Sequence, residues 1–193
     1  MDRLLVRVAL DSAGDAYLDA EREIVAAGDR VEPLLRAAAG KGGVEGAVAE
    51  LLLGWPKAGK TWAACLAELT RLEESSKRTA TGYPTAPQVA DALSGKFGPA
   101  CAPFLAVRVL KEAGSWPGWK EHGVLIYLHE TGDVRAVEPL LALLWKVTHP
   151  VMRDEIIATL RDHTEPAVAA RVKEELARYE ATAAALRAAA ERK

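Results

Sequence analysis

Cysteine is nearly missing from this 193-residue chain, and two residues, Cys65 and Cys101, build no disulfide framework. Long apolar runs are missing too: nothing approaches the roughly 18 consecutive apolar residues of a membrane span. Near the N-terminus Asp2 stands where a secretory leader is basic, and Arg7 and Asp11 interrupt the apolar residues. The expectation is a cytoplasmic protein with no membrane contact. A basic surplus is absent as well. The formal net charge is −2, which argues against a nucleic-acid binder held by phosphate neutralisation. No HExxH or Cys/His ligand spacing appears. His122 and His129 sit two helical turns apart, and His149 and His163 flank the next helix, so no metal is expected. No serine occupies a GxSxG elbow, and neither cysteine has an activating histidine near it in sequence. The reading therefore assigns no catalytic residue and no cofactor.

Aromatics are also sparse, at 6%, and alanine, leucine, glutamate and arginine dominate, all strong helix formers. The length suits one domain over residues 1–193. Internal repetition is visible. Gly28-Asp29-Arg30-Val31-Glu32-Pro33-Leu34-Leu35 recurs as Gly132-Asp133-Val134-Arg135-Ala136-Val137-Glu138-Pro139-Leu140-Leu141, and more weakly as Gly98-Pro99-Ala100-Cys101-Ala102-Pro103-Phe104-Leu105. Pro33, Pro103 and Pro139 are separated by 70 and 36 residues, which fits a unit of about 35 with one copy, near Thr61–Leu72, lacking its proline. Cys65 and Cys101 then fall one period apart and read as small core residues.

Each unit reads as two helices and a turn. The first gives Val31–Ala39, a glycine turn at Gly40–Gly43, then Val44–Leu53. The third gives Ala100–Ala113, a turn at Ser115–Gly118, then Trp119–Glu130. The last gives Val134–Trp145, a break at Thr148–Pro150, then Val151–Arg161, where Met152, Ile156, Ile157 and Leu160 share one face. Residues 75–88 read as a long loop, either a mobile insertion or a partner-contacting segment carrying Tyr83. From Glu165 onward the chain reads as one long helix, capped by Thr164. Its stripe of Val168, Val172, Leu176, Tyr179, Ala183, Leu186 and Ala190 either caps a stack or mediates self-association.

The string from Glu130 to Leu144, followed by Met152–Leu160, resembles a HEAT repeat, in particular the bilin-lyase-like HEAT subtype. Arg153 matches the arginine of the second helix in that pattern. His149 replaces the usual turn aspartate, and Glu45 takes the arginine's place in the first unit. The likeness is best over 130–163, fair over 28–53 and 97–130, and poor over 54–96. It implies an all-α, right-handed α–α superhelix, a short HEAT-like solenoid with a long C-terminal capping helix. HEAT-like patterns speak to architecture rather than to activity.

One motif carries chemistry. Gly54-Trp55-Pro56-Lys57-Ala58-Gly59-Lys60-Thr61 satisfies GxxxxGK[ST], in which backbone N–H groups wrap phosphates, the lysine reaches the outer ones and the hydroxyl holds magnesium. Such a loop must leave a buried parallel strand, whereas Val44–Leu53 is helical in pattern and no strands alternate with helices to build a sheet. Gly54, Pro56, Gly59 and Thr61 are read instead as residues that end one helix and start another. Cofactor binding through Gly54, Gly59, Lys60 and Thr61 stays as an alternative.

The functional expectation is a non-catalytic scaffold that binds another protein. Second helices line the concave face of such stacks, so Lys120, Glu121, Arg153 and Asp154 are candidate contacts, with Trp116 and Trp119 as anchors if exposed. The alternatives are a nucleotide hydrolase using Lys60 and Thr61, a bilin-lyase-like subunit with no assignable pigment-handling residues, and a HEAT-like nucleic-acid binder.

Overall fold

The computed structural model describes residues 1–78 and 82–190, and all regular structure among them is helical. The α-helices are α1 (Asp2–Asp11), α2 (Gly14–Ala27), α3 (Glu32–Ala39), α4 (Gly43–Arg78), α5 (Ala86–Phe97), α6 (Ala102–Lys111), α7 (Gly118–Thr131), α8 (Val137–Leu144), α9 (Pro150–Asp162) and α10 (Pro166–Ala190). None of them is long and apolar enough to cross a membrane.

The three repeated strings follow one order of local elements, although Gly132 is left-handed helical where Gly28 and Gly98 are not. Gly28, Gly98 and Gly132 each follow a helix at positive φ, a conformation that glycine takes without a Cβ penalty. A short 3-10 turn comes next, over Gly28–Arg30, Gly98–Cys101 and Val134–Ala136. Then α3, α6 and α8 begin with Pro33, Pro103 and Pro139 in their first turns, where the missing N–H breaks no helical bond. The turn ahead of α6 is also tied from outside, because Trp62 Nε1 donates to the Ala100 carbonyl at 3.2 Å and Tyr127 Oη to that of Gly98 at 2.6 Å.

Neighbours in sequence pack as pairs: α1 on α2, α3 on α4, α6 on α7 and α8 on α9. Across the pairs, α5 packs on α7 and α7 on α9, while α6 packs on α8 and α10 lies against both α8 and α9. Gly123 lets α7 approach α5 closely, since a Cβ there would meet Val89 Cβ at 2.5 Å. One apolar cluster runs from Val6 to Leu176. Every residue of α6 is buried, including Arg108 and Lys111.

Several sequence expectations are corrected. The helix expected over Val44–Leu53 does not stop at Gly54 but continues to Arg78, so the GxxxxGKT string is helical throughout. Pro56 sits inside α4 and has no N–H to offer the Leu52 carbonyl, a defect that costs about 3 kcal/mol in a helix interior. What offsets it is aromatic burial. Trp55, Trp62 and Phe104 form a cluster in which Trp62 and Phe104 stack at 5.5 Å and Trp55 meets both edge-on. Gly59 lies under the Trp55 ring, where a Cβ would stand 2.9 Å from Nε1, and Gly54 lies under Trp62. Gly54 and Gly59 therefore make room for indoles rather than turning the chain, and Thr61 caps no helix.

The loop expected over 75–88 is shorter, since α4 runs through Arg78 and α5 starts at Ala86; residues 79–81 lie outside the described residues. Thr85 opens α5 with a capping box completed by Gln88. The cap of α10 is Glu165 rather than Thr164, because the Glu165 carbonyl accepts from Ala169 N at 2.8 Å. The apolar stripe of α10 is covered only in its first half. Val172 and Leu176 are buried, whereas Leu186 is exposed. Residues 191–193 of the expected helix lie outside the described residues.

Candidate binding cleft

Two charged residues, Arg108 and Lys111, are buried in the otherwise apolar α6. Burying Arg108 among Phe104, Leu105, Val107 and Val109 requires a charged partner, which comes from α2: Arg108 Nη2 donates to Glu21 Oε2. Nη1 donates to Glu112 Oε1 at 3.3 Å, and Glu112 Oε2 in turn accepts from Trp116 Nε1 at 2.8 Å. A chain Glu21–Arg108–Glu112–Trp116 thus fixes the orientation of one indole. Burial pushes the Glu21 carboxyl above its ordinary range, against the pull of Arg108. The pair is incompletely satisfied, because Glu21 Oε1 and Arg108 Nε are buried without hydrogen-bond partners.

This chain lines a cleft of about 510 Å³ framed by α2, α4, α6 and α7. Leu18, Val25, Trp55 and Leu66 supply apolar wall, and Trp116 and Lys120 stand on the α7 side. Lys120 Nζ lies 4.4 Å from the centroid of the Trp116 ring, a cation–π contact. Burial lowers the proton affinity of Lys120, which Glu112 and Glu73 partly restore. Among the described residues no hydrogen bond reaches its ammonium. An apolar recess with a few convergent polar groups and perturbed titrating residues is the physical description of a ligand site.

Of the six contact residues expected from sequence, the fold brings Trp116 and Lys120 together and separates the others. Trp119 turns away and stacks on Tyr83 at 5.7 Å. Glu121, expected to be an exposed contact, is buried and faces a different hollow shared with His149, because residues i and i+1 of a helix point to different sides. Arg153 and Asp154 sit side by side on α9, away from the cleft, with Asp154 largely exposed. Among the phosphate-loop residues, Gly54 borders a separate hollow beside Gly46 and Glu138, while Lys60 and Thr61 are exposed on the side of α4. Their N–H groups lie within the helix, so the chain cannot wrap a phosphate there.

Sequence reasoning missed Glu21, Arg108 and Trp55 as partners in one site. The available signal was Arg108 within the otherwise apolar run Pro103–Leu110, with Lys111 directly after it. Comparison with known proteins brings no family to this arrangement: no family model matches the chain, and no curated protein or solved structure is significantly similar to it.

Proposed function

We propose that this chain is a HEAT-like stack of helix pairs that works as a non-catalytic binding module, with the cleft between α2, α4, α6 and α7 as its recognition site. The observation that carries the reading is the state of the groups in the cleft. Its two carboxylates are both committed to Arg108, whereas Lys120 and the apolar walls are left to meet a ligand. The stacked architecture is supported by the order of packing, α5 on α7 on α9 beside α6 on α8, and by the repeat spacing of about 35 residues. In that architecture α10 is the terminal cap. A cytoplasmic location goes with this reading.

A fragment screen read by NMR tests it. Fragments should bind the wild-type cleft and lose affinity for Leu66→Trp, in which an added ring fills the recess. Hits that bind the filled variant equally well, or no hits at all, would remove the reading.

A protein partner is the second reading, and a separate observation favours it. Trp145 is 43% exposed and Val151 50%, on either side of the turn between α8 and α9, with Arg153 and Asp154 nearby on α9. Tyr179 and Arg178 hold the Trp145 ring in place, and a fixed, half-exposed tryptophan is the usual anchor of a protein interface. The exposed second half of α10 offers a further surface for self-association. Affinity capture with wild-type and Trp145→Ala baits decides it: a stoichiometric partner lost with the indole supports the reading, and equal capture by both baits removes it.

A further inference from the structure

We infer that the cleft takes a small organic monocarboxylate, its aromatic or branched apolar body against Trp55, Leu18 and Leu66 and its carboxylate on the Lys120 ammonium. The inference rests on the cleft being the recognition site proposed above and adds the class of ligand.

Charge decides the class. Glu21 and Glu112 already share Arg108, and the exposed Arg22 bonds Asp19 at 3.3 Å. Lys120 is the lining cation that no carboxylate holds by a hydrogen bond, among the described residues. A cationic ligand would face the Lys120 ammonium and would have to compete with Arg108 for the two lining carboxylates, Glu21 and Glu112. An uncharged ligand would cover the half-buried ammonium and leave it without a partner, which costs affinity. A phosphate would bring nearly two charges to one free ammonium and to walls that are mostly apolar. A single carboxylate matches one ammonium, and a charge-assisted contact of this kind is the strong one.

Size and shape agree. A recess of about 510 Å³ lies in the range of sites that enclose small organic molecules, and two fused rings fit such a volume. Trp116 is pre-positioned by Glu112 and Trp55 by Trp62 and Phe104, so few side chains need to be ordered on binding.

Calorimetric titration with three matched probes tests the inference: naphthalene-2-carboxylate, naphthalene-2-carboxamide and 2-naphthylmethylammonium. The carboxylate should bind at one site per chain, at least about tenfold tighter than either of the others. Lys120→Met should erase that preference and Lys120→Arg should keep most of it. Equal or better binding of the amide or the ammonium, or a preference that survives Lys120→Met, would overturn the carboxylate and leave the cleft standing. No heat from any probe would also overturn it, while the cleft as recognition site is decided separately by the fragment screen. A peptide ending in a free tryptophan carboxylate that binds far tighter than naphthalene-2-carboxylate would replace the small acid by a chain end.

Discussion

Arg108 and Glu21, 87 positions apart, form a buried ion pair that joins α6 to α2 and floors the cleft. Its two halves are not equal in effect to the pair as a whole. Removing one partner strands the other as an uncompensated buried charge, so Arg108→Met should destabilise the fold by about 3–5 kcal/mol. Replacing both, as Glu21→Leu with Arg108→Met, should recover most of that loss, since apolar side chains suit the surroundings. A double-mutant cycle from denaturant unfolding measures the coupling. Strict additivity of the two single changes would show that the pair is not made.

Lys111 closes the end of α1 from another helix. Its Nζ donates to the carbonyls of Ala9, Leu10 and Ser12 at 3.2, 2.6 and 2.7 Å, which would otherwise be left open at the helix terminus. Lys111→Met should cost about 1–3 kcal/mol, and the first amides to gain hydrogen exchange should be those of α1. Burial, with Lys146 adding to it, pulls the Lys111 ammonium down to about 8. An unfolded lysine titrates near 10.4, so between those values the unfolded chain holds a proton that the folded chain has released. The contribution of this group to stability therefore rises with pH across that window. The wild-type slope should be steeper than that of Lys111→Met, and identical slopes would count against the assignment.

Two glycines within helices should respond in opposite directions to alanine. Gly123 sits where α7 crosses α5, and its Cβ would meet Val89 Cβ at 2.5 Å and the Ala86 carbonyl oxygen at 2.8 Å. Gly123→Ala must push the two helices apart, and about 1–3 kcal/mol should be lost. At Gly95 nothing lies within 4 Å, and Gly95→Ala should stabilise by about 0.5–1 kcal/mol through helix propensity alone. Thermal melts of the two variants check the pair, and a destabilised Gly95→Ala would contradict the packing described.

His129 bridges α7 and α9. Its Nδ1 lies 2.7 Å from Glu155 Oε1 and its Nε2 2.7 Å from Asp162 Oδ2, with His122 on the far side of Glu155. Both ring nitrogens face carboxylates, which accept hydrogen bonds, so the arrangement favours the imidazolium over the neutral ring. Asp162 and then Glu155 raise the His129 pKa above its ordinary value. The stabilisation is complete below the unfolded value of about 6.5 and is lost as pH rises through the higher folded one. His129→Gln should flatten the fall in melting temperature over that range. A wild-type fall that persists unchanged in the variant would assign the effect elsewhere.

The pairing of helices was legible because its signals are local. Glycines and prolines at Gly40–Gly43, Ser115–Gly118 and Thr148–Pro150 break the chain where the sequence says they should. The same residue types failed at Gly54–Thr61, where Phe104, remote in sequence, completes an aromatic cluster that carries the helix across its proline. Local propensity lost there to tertiary packing. In the cleft, Trp116 and Lys120 could be singled out because a helix start and an aromatic anchor are readable from spacing. Glu21 could not be, because nothing near it in sequence marks Arg108 as its partner. Glu121 was misplaced for want of the helix's rotation, which only the packing against α5 and α9 fixes.

The most direct test is an NMR titration of naphthalene-2-carboxylate into ¹⁵N-labelled protein, followed at the five tryptophan indole resonances. The Trp55 and Trp116 signals should move together and saturate with one ligand per chain, while that of Trp145, at the α8–α9 turn, stays in place. Motion of Trp145 alone, or equal small shifts at all five, would contradict the cleft as the recognition site.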